Sequence, residues 1–232
     1  LADKAEYVRD MFASVASRYD LLNSILSFRR HKVWRRVAVH DVNLHPGDIA
    51  LDVCTGTGDF ALDLRNAVGE AGRVAGIDFC LPMLEIGVRK ISQKRHANMC
   101  MILGDALRLP FADNSFDCVT VGFGIRNVSD IRMAFQEMAR VAKPGGRVAC
   151  LEFTPPKSGF WKPFILLYER RILPMIGGAL SDPEAYTYLP NSISAFETPQ
   201  QLAEIMGSAG LKNITVKGMN FGSVCLHIGI KS

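Results

Sequence analysis

Leu51-Asp52-Val53-Cys54-Thr55-Gly56-Thr57-Gly58-Asp59 joins an apolar run to a glycine-rich turn, and Arg73-Val74-Ala75-Gly76-Ile77-Asp78 ends a second run on another carboxylate. A buried strand that feeds such a turn lets main chain approach a nucleoside-bearing ligand. An acid at the tip of the next strand, roughly twenty residues on, is placed to accept from ribose hydroxyls. Gly56, Gly58 and Ala61 also fit the spacing of dinucleotide sites, so the glycines alone leave two cofactor classes open. Two further acids favour S-adenosylmethionine. Asp52, before the turn, can face the cofactor's ammonium group. Asp105, in Leu103-Gly104-Asp105-Ala106, can offer its carboxylate, with the Ala106 N–H, to an adenine edge. A turn that holds no ligand would explain the glycines but not the three acids.

Composition bounds the function classes. At 232 residues and 48% hydrophobic content, the chain can bury a substantial core as one α/β domain. A net charge of +4, with bases dispersed among acids, points away from a nucleic-acid surface and leaves room for weak attraction to an anionic membrane. Six cysteines, at 54, 80, 100, 118, 150 and 225, show no metal-ligand spacing and lie mostly in apolar runs. They read as small core residues in a reducing cytosol, and no metal is expected. No signal peptide is evident, and the apolar run Phe164 to Tyr168 is cut by Glu169-Arg170-Arg171. The expectation is a soluble cytoplasmic protein, at most peripheral at the inner face of a membrane.

Apolar spacing from Tyr7 to Val39 predicts a helical cap, broken near Asp20 to Asn23. Strand-like runs at Ile49 to Val53, Arg73 to Ile77, Met99 to Leu103, Cys118 to Gly122 and Arg147 to Phe153 alternate with helical segments. The plainest helix, Asp130 to Lys143, carries Ile131, Ala134, Phe135, Met138 and Val141 on one face and stops at Pro144-Gly145-Gly146. Such alternation predicts a parallel sheet covered on both faces. It fails between Thr154 and Pro199, where an inserted substrate lid is expected. A helix near Pro199 to Ala209 and two closely joined strands, near Asn213 to Lys217 and Ser223 to Ile230, then complete a mostly parallel seven-stranded Rossmann-like sheet with an antiparallel last strand. The expected divisions are a cap (1–46), a cofactor-binding core (47–154), a lid (155–197) and a C-terminal helix and hairpin (198–232), all in one domain.

Val8-Arg9-Asp10-Met11-Phe12, Ser17-Arg18-Tyr19-Asp20-Leu21-Leu22-Asn23, His31-Lys32-Val33-Trp34-Arg35-Arg36, Gly122-Phe123-Gly124-Ile125-Arg126-Asn127-Val128 and Tyr188-Leu189-Pro190-Asn191-Ser192 together resemble the C-methyltransferases of menaquinone and ubiquinone biosynthesis. The resemblance runs essentially end to end. It implies the class I methyltransferase fold, S-adenosylmethionine as donor and a polyprenylated benzoquinol or naphthoquinol as acceptor. It also implies cofactor contacts at Thr57, Asp78, Asp105 with Ala106, and Gly122. Three positions depart from pattern. Cys54 stands where methyltransferases in general often have glycine, and Arg29 and Phe221 where this family often does. The last two bear on the shape of the substrate entrance more than on the reaction.

Methyl transfer to an aromatic carbon requires that the ring be made nucleophilic, and ionising a ring hydroxyl does so. A phenol has a pKa of about 10, so anion stabilisation or a base is needed near neutrality. Arg126, after the fourth strand, suits the developing oxyanion. Asn127 can hydrogen-bond the same oxygen, and Tyr19 can position the hydroxyl or relay its proton. His31 has the more natural pKa for a base but a less certain location. Each has a plainer role open to it: Arg126 as ion-pair partner of Asp130, Tyr19 and Asp20 as a turn, His31 as a packing residue, and Tyr186, Tyr188 and Phe196 as lid packing. Residues 160–171, aromatic and basic, suit a lid that touches lipid headgroups, or equally a packing helix or homodimer contact. Competing functions are a small-molecule O-methyltransferase and a non-catalytic cofactor-binding module of a quinone-synthesis complex. A nucleic-acid amine methyltransferase would carry an Asn/Asp-Pro-Pro-aromatic turn in place of the Gly122 to Asn127 stretch.

Overall fold

The computed structural model describes residues 2–155 and 183–232. Its apolar runs form the strands β1 (Ile49–Val53), β2 (Arg73–Asp78), β3 (Met99–Leu103), β4 (Phe116–Gly122), β5 (Ala142–Phe153), β6 (Leu211–Met219) and β7 (Val224–Lys231). They make one sheet in the order β3-β2-β1-β4-β5-β7-β6. The first five are parallel, and β7 runs antiparallel to both β5 and β6. This is the expected sheet.

Side chains alternate across it with period two, which is why both faces are apolar. Leu51, Val53, Val119, Val121, Val148 and Cys150 pack one way, with Phe135 and Met138 of helix α6 (Ile131–Val141) and Leu202 and Met206 of α8 (Pro199–Ser208). Ala50, Cys118, Ala149 and Leu151 face the other way, toward Trp34 and Ala38 of α3 (Arg30–Asp41) and Phe60, Leu64 and Val68 of α4 (Asp59–Val68). Local signals set the helix ends. The Asp130 carboxylate accepts from Met133 N–H to cap α6, and Thr198 with Gln201 forms a reciprocal capping box on α8.

The cap differs from expectation at its break. Helix α1 (Ala2–Val15) leads through a 3-10 turn, Ala16–Arg18, directly into α2 (Tyr19–Leu26), so Asp20 to Asn23 is helical. The chain breaks instead at Phe28 and Arg29, both left-handed at φ 49° and 61°. Tyr19 and Asp20 therefore open a helix and do not form a turn. Helix α5 (Leu81–Lys94) flanks β3, and α7 (Pro183–Ser194) follows the undescribed stretch. The expected lipid-touching segment 160–171, and most of the expected lid, lie outside the described residues. Four of the six cysteines are buried, but Cys100 is exposed and Cys54 partly so. No described helix is long and apolar enough to cross a membrane.

Candidate active site

Strand β1 lies between β2 on one side and β4 on the other, and connections leave it in opposite directions. Open α/β sheets bind ligands in the crevice above such a switch point. Two hollows lie there.

The smaller, about 270 Å³, is lined by Gly56, Asp78, Asp105, Ala106, Gly122 and Asn127, among others. Asp78 Oδ2 accepts from Gly56 N–H at 2.8 Å and Oδ1 from Cys80 N–H at 2.9 Å. Burial nevertheless pushes its carboxyl upward. Asp105 Oδ1 accepts from Leu107 N–H at 2.9 Å, which fixes the carboxylate beside Ala106. Glycine is required at 122, since a Cβ there would stand 2.7 Å from the Phe60 ring. Acids for a ribose and an adenine edge, with bare backbone beside them, suit a nucleoside and fit S-adenosylmethionine.

The larger hollow, about 430 Å³, is lined chiefly by apolar groups from the cap, β1, β4 and α7. Trp34, Phe123 and Phe153 form an aromatic wall with ring centroids 4.8 to 6.1 Å apart. Asp52 and Thr57 line this hollow. Both Asp52 oxygens accept hydroxyls, from Thr55 at 2.6 Å and Thr120 at 2.8 Å, and burial lifts its pKa to about 7. The Thr57 hydroxyl donates to Asp20 at 2.6 Å and accepts from Lys90 at 3.0 Å. Gly58 lines neither hollow; its left-handed φ of 79° turns the chain into α4.

Arg126 and Tyr19 line this hollow from distant parts of the chain, and Asn127 lines the smaller one. Arg126 Nη1 donates to Glu152 at 2.6 Å and to the Phe123 carbonyl at 2.7 Å, and Nε to Ser192 at 3.3 Å. Its ion-pair partner is therefore Glu152, fully buried, while Asp130 is spent on the cap of α6. A single acid inside the apolar run Val148 to Phe153 was the sequence signal for Glu152, because a strand interior holds a carboxylate only against a partner. Asn127 Oδ1 accepts from the Tyr188 hydroxyl at 3.0 Å. Phe196 belongs to the main core and not to the hollow. Burial raises the pKa of Tyr19.

His31 is buried, and it too lines the larger hollow. Ser27 lies 2.6 Å from its Nδ1 and donates its own hydrogen to the Asn23 carbonyl at 2.5 Å. With that hydrogen committed, Nδ1 must be the donor, which leaves an acceptor lone pair on Nε2. Burial, reinforced by the Arg35 charge, lowers its pKa to about 4, so the ring is neutral at pH 7.

Tyr19, Cys54, Gly56, Gly122 and Phe123 line both hollows, which thus share one wall. Among the described residues no cluster of His, Cys, Asp or Glu could hold a metal.

Known proteins resemble the chain along nearly its whole length. Residues 2–231 match the model of the ubiE/COQ5 methyltransferase family. The chain is 42% identical over 229 residues to a demethylmenaquinone methyltransferase of Shouchella clausii, covering 98% of this chain and 97% of that protein. It is 41% identical, with the same coverage, to one of Bacillus cereus. Among solved structures, a SAM-dependent methyltransferase of Thermotoga maritima, described as a possible histamine N-methyltransferase, superposes with a TM-score of 0.69 at 19% identity over 96% of this chain and 99% of that one. One from Aquifex aeolicus gives 0.62 at 21% identity, over 84% and 88%. At such identities these two structures speak for the fold alone.

Proposed function

The chain belongs to the ubiE/COQ5 methyltransferase family, and on that premise we propose that it methylates a ring carbon of a polyprenylated quinol, with a demethylmenaquinol as first acceptor and a methoxy-polyprenyl benzoquinol as second. It is an S-adenosylmethionine-dependent enzyme. The donor, when bound, supplies a methyl group already activated by the sulfonium, so the protein has to align, desolvate and ionise the acceptor. Gly56, Asp78, Asp105, Ala106 and Gly122 would hold the nucleoside, with Asp52, Thr57 and Gly58 shaping the turn beneath it.

On the acceptor side, the aromatic wall would exclude water and receive the ring. His31 Nε2 takes the hydroxyl proton, and the Arg126 guanidinium stabilises the resulting oxygen anion. Tyr19 orients that oxygen across the shared wall. Asn127, its carbonyl occupied by Tyr188, turns its NH₂ toward the same region. A new carbon–carbon bond would form ortho to the oxygen as the donor's methyl–sulfur bond breaks and leaves the neutral thioether; the ring carbon would then release its hydrogen to solvent as a proton, restoring aromaticity, and His31 would return the hydroxyl proton to the oxygen. The wall common to both hollows carries this reading, because it lets donor and acceptor meet without crossing solvent.

The same proposal divides the chain into cap (1–46), core (47–154), lid (155–197) and C-terminal unit (198–232). It places the enzyme in the cytoplasm at the inner face of a membrane. The test is product identity. The purified chain, S-adenosylmethionine and a short-chain demethylmenaquinol should yield a ring-methylated product, located by NMR. A methyl ether would instead assign an O-methyltransferase, and no product with intact cofactor binding would assign a binding module.

A further inference from the structure

Leu21 and Ile25, on the outer side of the cap, line neither hollow. Helix α2 buries Leu22 and Leu26 and turns Leu21 and Ile25, four residues apart on one stripe, outward; Phe28, in the turn that ends the helix, is exposed as well. Leu21 is 59% exposed and Phe28 75%. Single exposed apolar residues are ordinary, but a stripe of them on one helix calls for a partner.

The backbone points the same way. Phe28 and Arg29 are left-handed, and so are Asn220 and Phe221, at φ 49° and 59°. Side chains with a Cβ avoid this region, and where they are held in it the surroundings impose it. The two strained turns bring Phe28 and Phe221, each mostly exposed, to the lining of the same larger hollow.

Charge decides between partners. Residues 21–40 contain no acid and five bases: Arg29, Arg30, Lys32, Arg35 and Arg36. Arg35 is committed to Asp59 and Asp63. Among the described residues no carboxylate pairs with the other four. An acidic protein would answer the charges but not the apolar stripe beside them. An anionic bilayer answers both, since aromatic and aliphatic groups enter the headgroup region while guanidinium and ammonium groups stay at phosphate level.

We infer that α2 and the turn at Phe28 and Arg29 dock the protein on an anionic lipid bilayer, with Leu21, Ile25 and Phe28 in the interface and Arg29, Arg30, Lys32 and Arg36 on the lipid phosphates. The mouth of the larger hollow then opens at the membrane, and a polyprenyl acceptor enters without carrying its chain through water. That last consequence rests on the quinol reading; the docking does not.

Sedimentation of the full chain with vesicles tests it. Phosphatidylcholine vesicles containing phosphatidylglycerol should bind the protein, less so at high salt, and phosphatidylcholine alone should bind at least fivefold more weakly. Leu21→Ser/Ile25→Ser and Arg29→Gln/Arg36→Gln lie outside the hollow's lining. Each should lower binding to anionic vesicles at least fivefold while leaving the melting profile and turnover of a short soluble quinol unchanged. Turnover of a long-chain quinol embedded in the vesicles should fall with binding. Failure of the parent to bind anionic vesicles, or folded variants that bind like the parent, overturns the docking surface. Docking as described, without methylation of either quinol, leaves the surface standing and removes the acceptor assignment.

Discussion

Arg29, Cys54 and Phe221 are all left-handed, at φ 61°, 54° and 59°, backbone that glycine adopts most readily. An L side chain there costs about 1–2 kcal/mol, and glycine gives back roughly 0.4–1 kcal/mol through its freer unfolded chain. Arg29→Gly and Phe221→Gly should therefore each raise unfolding free energy by about 0.5–1 kcal/mol in urea titration. A loss would mean that side-chain contacts hold these turns. Arg126 calls for a different substitution than its role would suggest. Arg126→Ala strands the buried Glu152 carboxylate, a loss of about 3–5 kcal/mol that would mask any effect on rate. Arg126→Met/Glu152→Gln removes both charges, and should melt near the parent yet turn over at least a hundredfold more slowly. Parent-like turnover would return Arg126 to a structural role. His31, with its pKa near 4 in the folded chain and about 6.5 unfolded, adds stability that is complete above pH 6.5 and lost as pH falls toward 4. As a base it stays available throughout the neutral range, so the acid limb of kcat/KM should lie at pH 4–5. His31→Gln should lower kcat by about 10²–10⁴ at pH 7 and recover much of it near pH 10, where the quinol ionises unaided. A uniform loss at every pH would count against proton transfer.

Ion pairs between elements pin the cap on the sheet. Lys90 of α5 reaches Asp20 of α2 at 2.5 Å and Asp59 of α4 at 2.8 Å, and Arg35 of α3 reaches Asp59 at 3.2 Å and Asp63 at 2.7 Å. Burial opposes charge on Asp59, yet Lys90 and Arg35 hold its pKa below the usual value. Its contribution is present above the unfolded carboxylate range and lost as pH falls through the lowered pKa. Because α2 and α3 supply one side of the larger hollow, loosening this junction should be felt by the acceptor first. Lys90→Met is expected to raise acceptor KM several-fold while S-adenosylmethionine affinity, measured by calorimetry, changes by less than about twofold. Equal weakening of both would place Lys90 in the donor site.

For the molecule as a whole, the crevice above the switch point is where binding and folding are coupled. A ligand held by β1, β2 and β4 together binds only the folded chain, so S-adenosylmethionine at a hundred times its Kd should add about 2.7 kcal/mol. For a chain of this size that is a rise in Tm of roughly 5–10 °C. Asp78→Ala should abolish the rise, because its carboxylate both faces the hollow and orders the turn through Gly56 and Cys80. An undiminished shift in that variant would place the nucleoside elsewhere.

The strand runs, the glycine turn, the acids at 78 and 105 and the α6 boundary were legible because each is a local pattern: alternation, a breaker, a carboxylate at a strand tip. The antiparallel β7 followed from the short connection that joins it to β6, whereas the order of the seven strands came only from the folded chain. Other features depended on residues remote in sequence. The partner of Arg126 is Glu152, 26 residues on, and nothing local separates it from nearby Asp130. Tyr19 reaches both hollows only because α2 continues through the expected break, held by Thr57 and Lys90 from elements that follow it. The tautomer of His31 depends on where the Ser27 hydrogen goes, and its low pKa on burial beneath the rest of the cap. Sequence alone settles what depends on a residue and its near neighbours. Desolvation, ion pairing and the choice of proton depend on which groups the folded chain brings together, and only the tertiary structure decided those.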